Sequence, residues 1–98
     1  MSLHEAAMTG NLDKIDRKFL TTENLMTRNG IGATVFHYAA GSGHMDQIPK
    51  YLLNANILFL EDYAGSTPLS NAIEFKFYDS IPKEFCTPEI LLNRYRIS

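Results

Sequence analysis

The side chains most capable of chemistry in this chain are three histidines, His4, His37 and His44, and one cysteine, Cys86. Imidazole and thiolate groups act as metal ligands, bases or nucleophiles when suitable partners lie beside them. His4 and His37 are separated by the same number of residues as many pairs of matching, unreactive residues. This common interval indicates that the two histidines hold equivalent positions in two repeated units. Cys86 has only Lys83 as a nearby basic residue, which favours a buried or half-buried small hydrophobe. We therefore predict no active site, no metal site and no cofactor.

Two glycine-rich segments, Gly30–Gly32 and Gly41–Gly43, could be mistaken for phosphate-binding loops. Such a loop follows a buried strand and runs into Gly-Lys-Ser/Thr, and neither segment does so. Nucleic-acid binding is not expected either, because the net charge is −2 and the basic residues are scattered. The densest basic group, between Lys14 and Lys18, alternates with aspartates and is typical of a solvated helix face.

The composition describes a globular chain, with 45% hydrophobic and 20% charged residues among 98. No segment reaches the roughly 18 consecutive apolar residues that cross a bilayer, so no membrane association is expected. The N-terminus lacks the basic flank and long apolar core of a secretory signal. A single cysteine cannot form an internal disulfide, which favours a reducing, intracellular (cytoplasmic) location.

An internal repeat is the clearest feature of the sequence. Ser2–Ala7, Val35–Ala40 and Pro68–Ile73 align without gaps at one fixed spacing, a period of about 33 residues. The same spacing relates further matched residues, namely Ile15, Ile48 and Ile81, Pro49 and Pro82, and Leu25, Leu58 and Leu91. This period predicts one domain over residues 1–98, with unit 1 near 1–28, unit 2 near 29–61 and unit 3 near 62–98.

Each unit carries the start and stop signals of a short helix. Thr67 can cap free backbone donors and Pro68 suits the first helical position. Gly10 and Gly43 provide the left-handed residue that ends such a helix.

A second helix is predicted to begin at an aspartate in each unit, with the prolines of units 2 and 3 in its first turn. These aspartates are Asp13, Asp46 and Asp79. An extra helical turn follows, as Thr87-Pro88 suggests, and then an extended, turn-rich loop such as 61–66. The predicted unit is helix, turn, helix, short turn and projecting loop.

These motifs resemble the ankyrin repeat family. Thr34-Val35-Phe36-His37-x-Ala39-Ala40-x-x-Gly43-His44 is similar to its Thr-Pro-Leu-His-x-Ala-Ala-x-x-Gly-His pattern, and Gly65-x-Thr67-Pro68-Leu69 to its Gly-x-Thr-Pro-Leu portion. The resemblance implies an all-α solenoid of about three repeats, with irregular or capping first and last units. It also implies that His4 and His37 form hydrogen bonds near the threonine cap and the neighbouring loop, and that His44 has a packing and hydrogen-bonding role.

Unit 3 departs from the family pattern, with Ser70 for histidine, Ile73 for alanine and Lys76-Phe77 for Gly-His. Lysine is unfavourable in a left-handed turn, so we expect that turn to be reshaped. The first unit begins at Met1 without a preceding loop, and the last ends at Ser98, which suggests a piece of a longer array or a minimal array. Phe75, Phe77 and Tyr78 are expected either to contact a further repeat or partner, or, for the last two, to fold back as a cap.

The resemblance implies a non-catalytic module that binds another protein through a concave face built from the first helices and the loop tips. The alternative is self-association, or docking within a longer array or multidomain protein; a monomer is favoured over a homo-oligomer. The family's variable positions fall on Met8, Thr9, Arg28, Ile31, Ala33, Gly41, Ser42, Glu61, Tyr63, Ser66, Glu74 and Phe75. Aromatic and Met side chains among them suit a protein partner.

Overall fold

The computed structural model describes residues 2–77 and 81–85, in which one helical unit recurs three times. Each unit contains a seven-residue α-helix, and the first two units end with a further short helix before the next loop. The helices are α1 (Leu3–Thr9), α2 (Thr22–Leu25), α3 (Val35–Gly41), α4 (Ala55–Leu58) and α5 (Pro68–Glu74). No strand occurs in these described residues. The structure confirms the all-α repeat, including the predicted extra turn in units 1 and 2; the turn at Thr87 lies outside the described residues.

The three inner helices, α1, α3 and α5, begin as the sequence predicts. Ser2, Thr34 and Thr67 are the N-cap residues, and each side chain accepts from the backbone N–H three residues later. Pro68 occupies the first helical position of α5. Because these bonds satisfy donors that have no partner within the helix, they define where each helix starts.

The inner helices also end in one common way. Gly10 and Gly43 adopt left-handed backbone with φ of 79° and 77°, as predicted. Lys76 takes the same conformation, with φ 63°, and Phe77 N donates to Ala72 O at 2.8 Å, the distance that the equivalent bond has in units 1 and 2. The expectation of a reshaped turn at Lys76 is therefore wrong, since the repeat geometry holds a non-glycine residue in this strained region.

The predicted second helix is instead a pair of 3₁₀ turns, which form the outer layer of the molecule. Those turns are Leu12–Lys14 and Arg17–Phe19 in unit 1, Met45–Gln47 and Lys50–Leu52 in unit 2, and Lys83–Phe85 in unit 3. The residue between paired turns, Ile15 or Ile48, is extended. Pro49 favours the break in unit 2, because a residue before proline is pushed to extended backbone. In unit 1 the same break precedes Asp16, whose side chain caps the second turn by accepting from Lys18 N. Thus Asp13 and Asp46 lie inside 3₁₀ turns rather than capping a helix, and Asp79 lies outside the described residues.

A continuous apolar core joins the units. α3 packs against α1 on one side and α5 on the other. Paired alanines, Ala6-Ala7 and Ala39-Ala40, are fully buried between these helices and allow close approach. Larger side chains from the inner helices, the short helices and the outer layer fill the remaining space, among them Leu12, Leu25, Phe36, Met45, Leu58 and Leu69. Because each unit buries its neighbour's apolar side, stability is shared across the interfaces.

Candidate partner-binding face

The two described projecting loops are closed by the same arrangement of hydrogen bonds. Asn29 and Asp62, which hold equivalent positions in units 2 and 3, each accept through Oδ1 from backbone N–H groups two and four residues later. A backbone bond closes each loop, from Asn29 N to Ala33 O at 3.0 Å and from Asp62 N to Ser66 O at 2.8 Å. These bonds hold the loop tips in a defined shape.

The two described loops are also joined to each other. Tyr63 N donates to Ile31 O at 3.1 Å, and Arg28 Nη1 donates to Gly32 O and Glu61 O, both at 2.7 Å. The Tyr63 ring covers Gly32 so closely that a β-carbon there would lie 2.5 Å from the ring. The loop tips therefore present one connected surface.

His37 ties the cap of its own helix to the following loop. Its Nδ1 accepts from Thr34 N at 3.0 Å and lies 2.8 Å from Thr34 Oγ1, while Nε2 is 3.0 Å from Ser66 O. The ring is 2% exposed, and this burial lowers the pKa of His37. These contacts require a neutral imidazole protonated on Nε2, which confirms the predicted structural role.

His4 has the matching place in unit 1. Its Nε2 lies 2.9 Å from Thr27 O and 3.1 Å from Ala33 O, and its ring packs edge-on against Tyr38 with centroids 5.6 Å apart. The ring of His44 lies over Gly10, so its predicted packing role is confirmed. Within residues 2–77 and 81–85, no group of three or more His, Cys, Asp or Glu could hold a metal ion. Cys86 lies outside that part of the chain.

The candidate face is formed by the exposed side of the inner helices together with the loop tips. Tyr38, Gly41 and Ser42 lie on one side of α3 by their i, i+3, i+4 spacing. Asn29 Nδ2 donates to Tyr38 Oη at 2.7 Å, which brings the first loop beside that side of α3. Met8 has the position in α1 that Gly41 has in α3.

Most of the predicted binding residues are accessible on this face. The exposed ones are Met8, Thr9, Arg28, Ile31, Glu61, Tyr63, Glu74 and Phe75, and the half-buried ones are Gly41, Ser42 and Ser66. The largest apolar members are strongly exposed, with Tyr63 at 74%, Ile31 at 60% and Phe75 at 55%.

Ala33 is the exception. It is 3% exposed, because the loop turns inward at this point and its carbonyl accepts from His4. Its side chain is therefore not available to a partner, and the prediction for this residue is wrong.

Sequence reasoning missed three residues of the face, Glu5, Tyr38 and Asn71. They occupy one column of the repeat, and their chemical types differ from unit to unit while the flanking columns stay constant. A change of residue type at this one equivalent position, between positions that stay constant, was the sequence signal that could have identified them. Asn71 Nδ2 also donates to His37 O, at 3.4 Å, so it links α5 to α3.

Phe77 and Tyr78 had two open interpretations. The Phe77 ring lies over Gly43, where a β-carbon would be 2.8 Å from Cδ1, so Phe77 packs back onto unit 2. Tyr78 lies outside the described residues. Phe75 remains exposed on the candidate face.

Stacked helical units with projecting, mutually bonded loops define a helical repeat solenoid. The family model described as ankyrin repeats, three copies, matches residues 3–83, and the chain belongs to the ankyrin repeat family. Ankyrin repeats are generally protein–protein interaction modules. Comparison with curated proteins and with solved structures gives no match. None of the described helices is long and apolar enough to span a membrane.

Proposed function

We propose that the chain is a non-catalytic module whose three units act as one domain and bind a partner protein through the concave face. The observation that carries this proposal is the exposure of Met8, Ile31, Tyr63 and Phe75 on the inner helices and loop tips. Aromatic and methionine side chains are enriched in the buried centres of protein interfaces. A single cysteine in 98 residues supports an intracellular location for this module.

The rigidity of the face supports the same proposal. Arg28, Asn29 and Asp62 hold the loops through side-chain bonds to backbone, and His37 anchors the second loop from below. A surface that is already ordered loses little conformational entropy on association. The hydrogen bonds of the histidines thus serve binding indirectly, by holding the loops in place.

The test is a double substitution, Tyr63→Ala with Phe75→Ala, compared with Tyr51→Ala. Tyr51 is 78% exposed on the outer layer and serves as the matched control. We expect the double variant to lose partner capture from a lysate of the source cells while Tyr51→Ala retains it. The melting temperature should fall by only a few degrees, because neither ring is buried. Unchanged capture by the double variant would reject the assignment of the face.

The alternative function, self-association or docking to another repeat, has its own supporting observation. Leu3 and Ile15 of unit 1 are partly exposed, whereas the equivalent Phe36 and Ile48 of unit 2 are buried. Phe19, on the same unit, is 51% exposed. Light scattering at high protein concentration tests this alternative, with Phe19→Glu as the variant that should dissociate any oligomer. A monomer over the whole concentration range removes it.

A further inference from the structure

Asn29 is the only asparagine of the chain that is followed by glycine. In such a pair the backbone nitrogen of the glycine reaches the side-chain amide carbon easily, because the glycine has no β-carbon and its backbone turns freely. Asparagine is also among the residues that proteins lose chemically with time. The pair lies in the first projecting loop, where Asn29 contacts Tyr38 of α3. It is therefore a candidate site of covalent modification.

The attacking group, the Gly30 nitrogen, is accessible. Gly30 is exposed, and a β-carbon built on it would meet no atom within 4 Å beyond its chain neighbours. Its N–H donates to no group among the residues that the structure describes. The next three backbone amides differ, since Ile31 N, Gly32 N and Ala33 N all donate to Asn29. Loss of the Gly30 proton to hydroxide, which makes this nitrogen nucleophilic, therefore breaks no hydrogen bond.

The side-chain amide of Asn29 is polarised for that attack. Its Oδ1 accepts from Ile31 N at 3.2 Å and from Ala33 N at 3.0 Å. Two N–H donors aimed at one carbonyl oxygen stabilise the negative charge that develops there when a nucleophile adds to the carbon. At the other end of the amide, Nδ2 lies 2.7 Å from Tyr38 Oη. A hydroxyl that both accepts and donates is thus beside the atom that must leave as ammonia.

We propose that the Asn29-Gly30 pair is a site of spontaneous deamidation in the folded chain. The Gly30 nitrogen loses its proton and bonds to Cγ of Asn29, the Cγ–Nδ2 bond breaks, and the amide nitrogen takes up one proton and leaves as ammonia. The product is a five-membered succinimide ring. Water then opens the ring at one of its two carbonyl carbons, which gives aspartate or isoaspartate. Each product carries one more negative charge than asparagine does.

Unit 3 shows that the aspartate product fits the loop. Asp62 holds the equivalent position there, and its Oδ1 accepts from Ala64 N and Ser66 N, both at 2.9 Å. Aspartate at position 29 therefore keeps the loop closed. Only the contact with Tyr38 changes direction, because a carboxylate accepts from a hydroxyl and has no N–H to donate.

The isoaspartate product has the opposite effect. Its main chain runs through Cβ and Cγ, which lengthens the loop by one atom and turns the side-chain carbonyl into the peptide link. The two bonds from Oδ1 to Ile31 N and Ala33 N are then lost. Because Tyr63 N donates to Ile31 O, the second loop loosens with the first. Ile31 and Tyr63 belong to the candidate face, so partner binding weakens too, and this last step alone rests on the proposed function.

The test follows the purified chain by mass spectrometry and peptide mapping during incubation at body temperature and mildly alkaline pH. We expect a gain of about 1 Da at Asn29 before any other asparagine. The rate should rise with pH, because the Gly30 N–H must ionise. Gly30→Ala is the matched control, since the Gly30 backbone is not left-handed and has space for a methyl group. It should fold as the wild type does and deamidate roughly tenfold more slowly.

The aged protein is then separated into its aspartate and isoaspartate forms, and amide hydrogen exchange is measured on each. In the aspartate form, Ile31, Ala33 and Tyr63 should exchange at the same rates as in the variant Asn29→Asp. In the isoaspartate form they should exchange at least tenfold faster. Equal protection in the two forms would overturn the opening of the loops.

Three results would overturn the site itself. One is no gain of mass at Asn29 within several half-lives of the same reaction in a synthetic peptide of the loop. Another is faster deamidation at a different asparagine. The third uses Gly43→Ala, which crowds the Phe77 ring and raises the unfolded fraction. A rate at Asn29 that increases in proportion to that fraction would assign the reaction to the unfolded chain. None of these measurements involves a partner, so a wrong assignment of the binding face leaves them unchanged.

Discussion

Unit 2 and unit 3 form the same helix with different residues, and the difference shows what a neighbouring unit requires. In unit 2, His37 completes the capping box and also reaches Ser66 O of the next loop. In unit 3, Ser70 completes the same box, with Thr67 N donating to Ser70 Oγ at 2.8 Å, but its hydroxyl turns back to Thr67 O. The helix start needs only a local acceptor, whereas the connection to the next loop needs the longer imidazole.

The left-handed turns differ in the same sense. Gly10 is covered by the His44 ring and Gly43 by the Phe77 ring, each from the following unit. Lys76 keeps the same backbone with a side chain in place, and it is exposed. Where a ring of the following unit covers the turn, glycine is therefore required for two reasons. It adopts the left-handed backbone without strain, and it has no β-carbon to clash with the ring. At Lys76 no ring among the described residues is recorded over the turn, so a side chain there meets only the strain of the left-handed backbone.

The largest effect should follow from crowding the stacked turn of unit 2. Gly43→Ala places a β-carbon 2.8 Å from Phe77 Cδ1 on a backbone with φ 77°. We expect the free energy of unfolding to fall by about 2–4 kcal/mol, from left-handed strain and overpacking together. Urea denaturation measures this, with Gly41→Ala as the control that should cause no loss. Equal losses in the two variants would contradict the stacking explanation.

The next effect compares the two capping boxes. His37→Ala leaves Thr34 N–H and Ser66 C=O without their partner, and should lower the free energy of unfolding by about 2–3 kcal/mol. Ser70→Ala removes only the local bonds to Thr67 N and Thr67 O and should cost about 1 kcal/mol. Chemical denaturation of both variants decides the point. A loss for Ser70→Ala as large as for His37→Ala would show that the link to the next loop adds nothing.

Relief of strain at the last turn should produce a smaller, opposite change. Lys76→Gly removes the strain of a non-glycine residue at φ 63° and should raise the free energy of unfolding by about 1 kcal/mol. Lys76→Ala keeps the strained backbone and removes the charge, so it should leave stability nearly unchanged. If both substitutions stabilise equally, the charge rather than the backbone is responsible.

The smallest effect should appear as a dependence of stability on pH. Burial holds the pKa of His37 below its value in the unfolded chain, near 6.5. Between the two pKa values the unfolded chain binds more protons than the folded chain. The contribution of His37 to the free energy of unfolding is therefore fully present above about pH 6.5 and decreases as the pH falls below that value. Melting temperatures from pH 7.5 downward should show this decline, and His37→Ser should flatten it. An identical slope in the variant would assign the decline to other groups.

The parts of the structure that sequence reasoning predicted are those in which the decisive contact is local. Thr34 and Thr67 cap helices through bonds to residues three positions on, and Gly10 and Gly43 take the predicted backbone. The fixed period of the repeat then extended each local prediction to its equivalents. The prediction of one continuous second helix was wrong: Ile15 and Ile48 are extended in both units, and each separates two 3₁₀ turns. Pro49 favours this break in unit 2 but is not required for it, because unit 1 has Asp16 at the equivalent position.

The candidate face was predicted less completely, because exposure depends on which units stack. Ala33 lies in a loop and was expected to be accessible, but the loop turns its side chain into the core. Tyr38 was overlooked, and only its contacts with Asn29 and His4 show its place beside the first loop. Family position alone could not show that Phe77 packs its ring over Gly43 whereas Phe75 is more exposed, at 55% against 38%.

The sequence by itself determined the repeated unit, its helix starts, its left-handed turns and its membership of a helical repeat class, because these depend on residues within a few positions of one another. Only the tertiary structure decided which glycines lie under a neighbour's ring and which loop residues are buried. Those features arise from contacts between residues roughly one repeat apart. Whether such residues fit together depends on the volumes of both, and the residues adjacent in sequence do not determine those volumes.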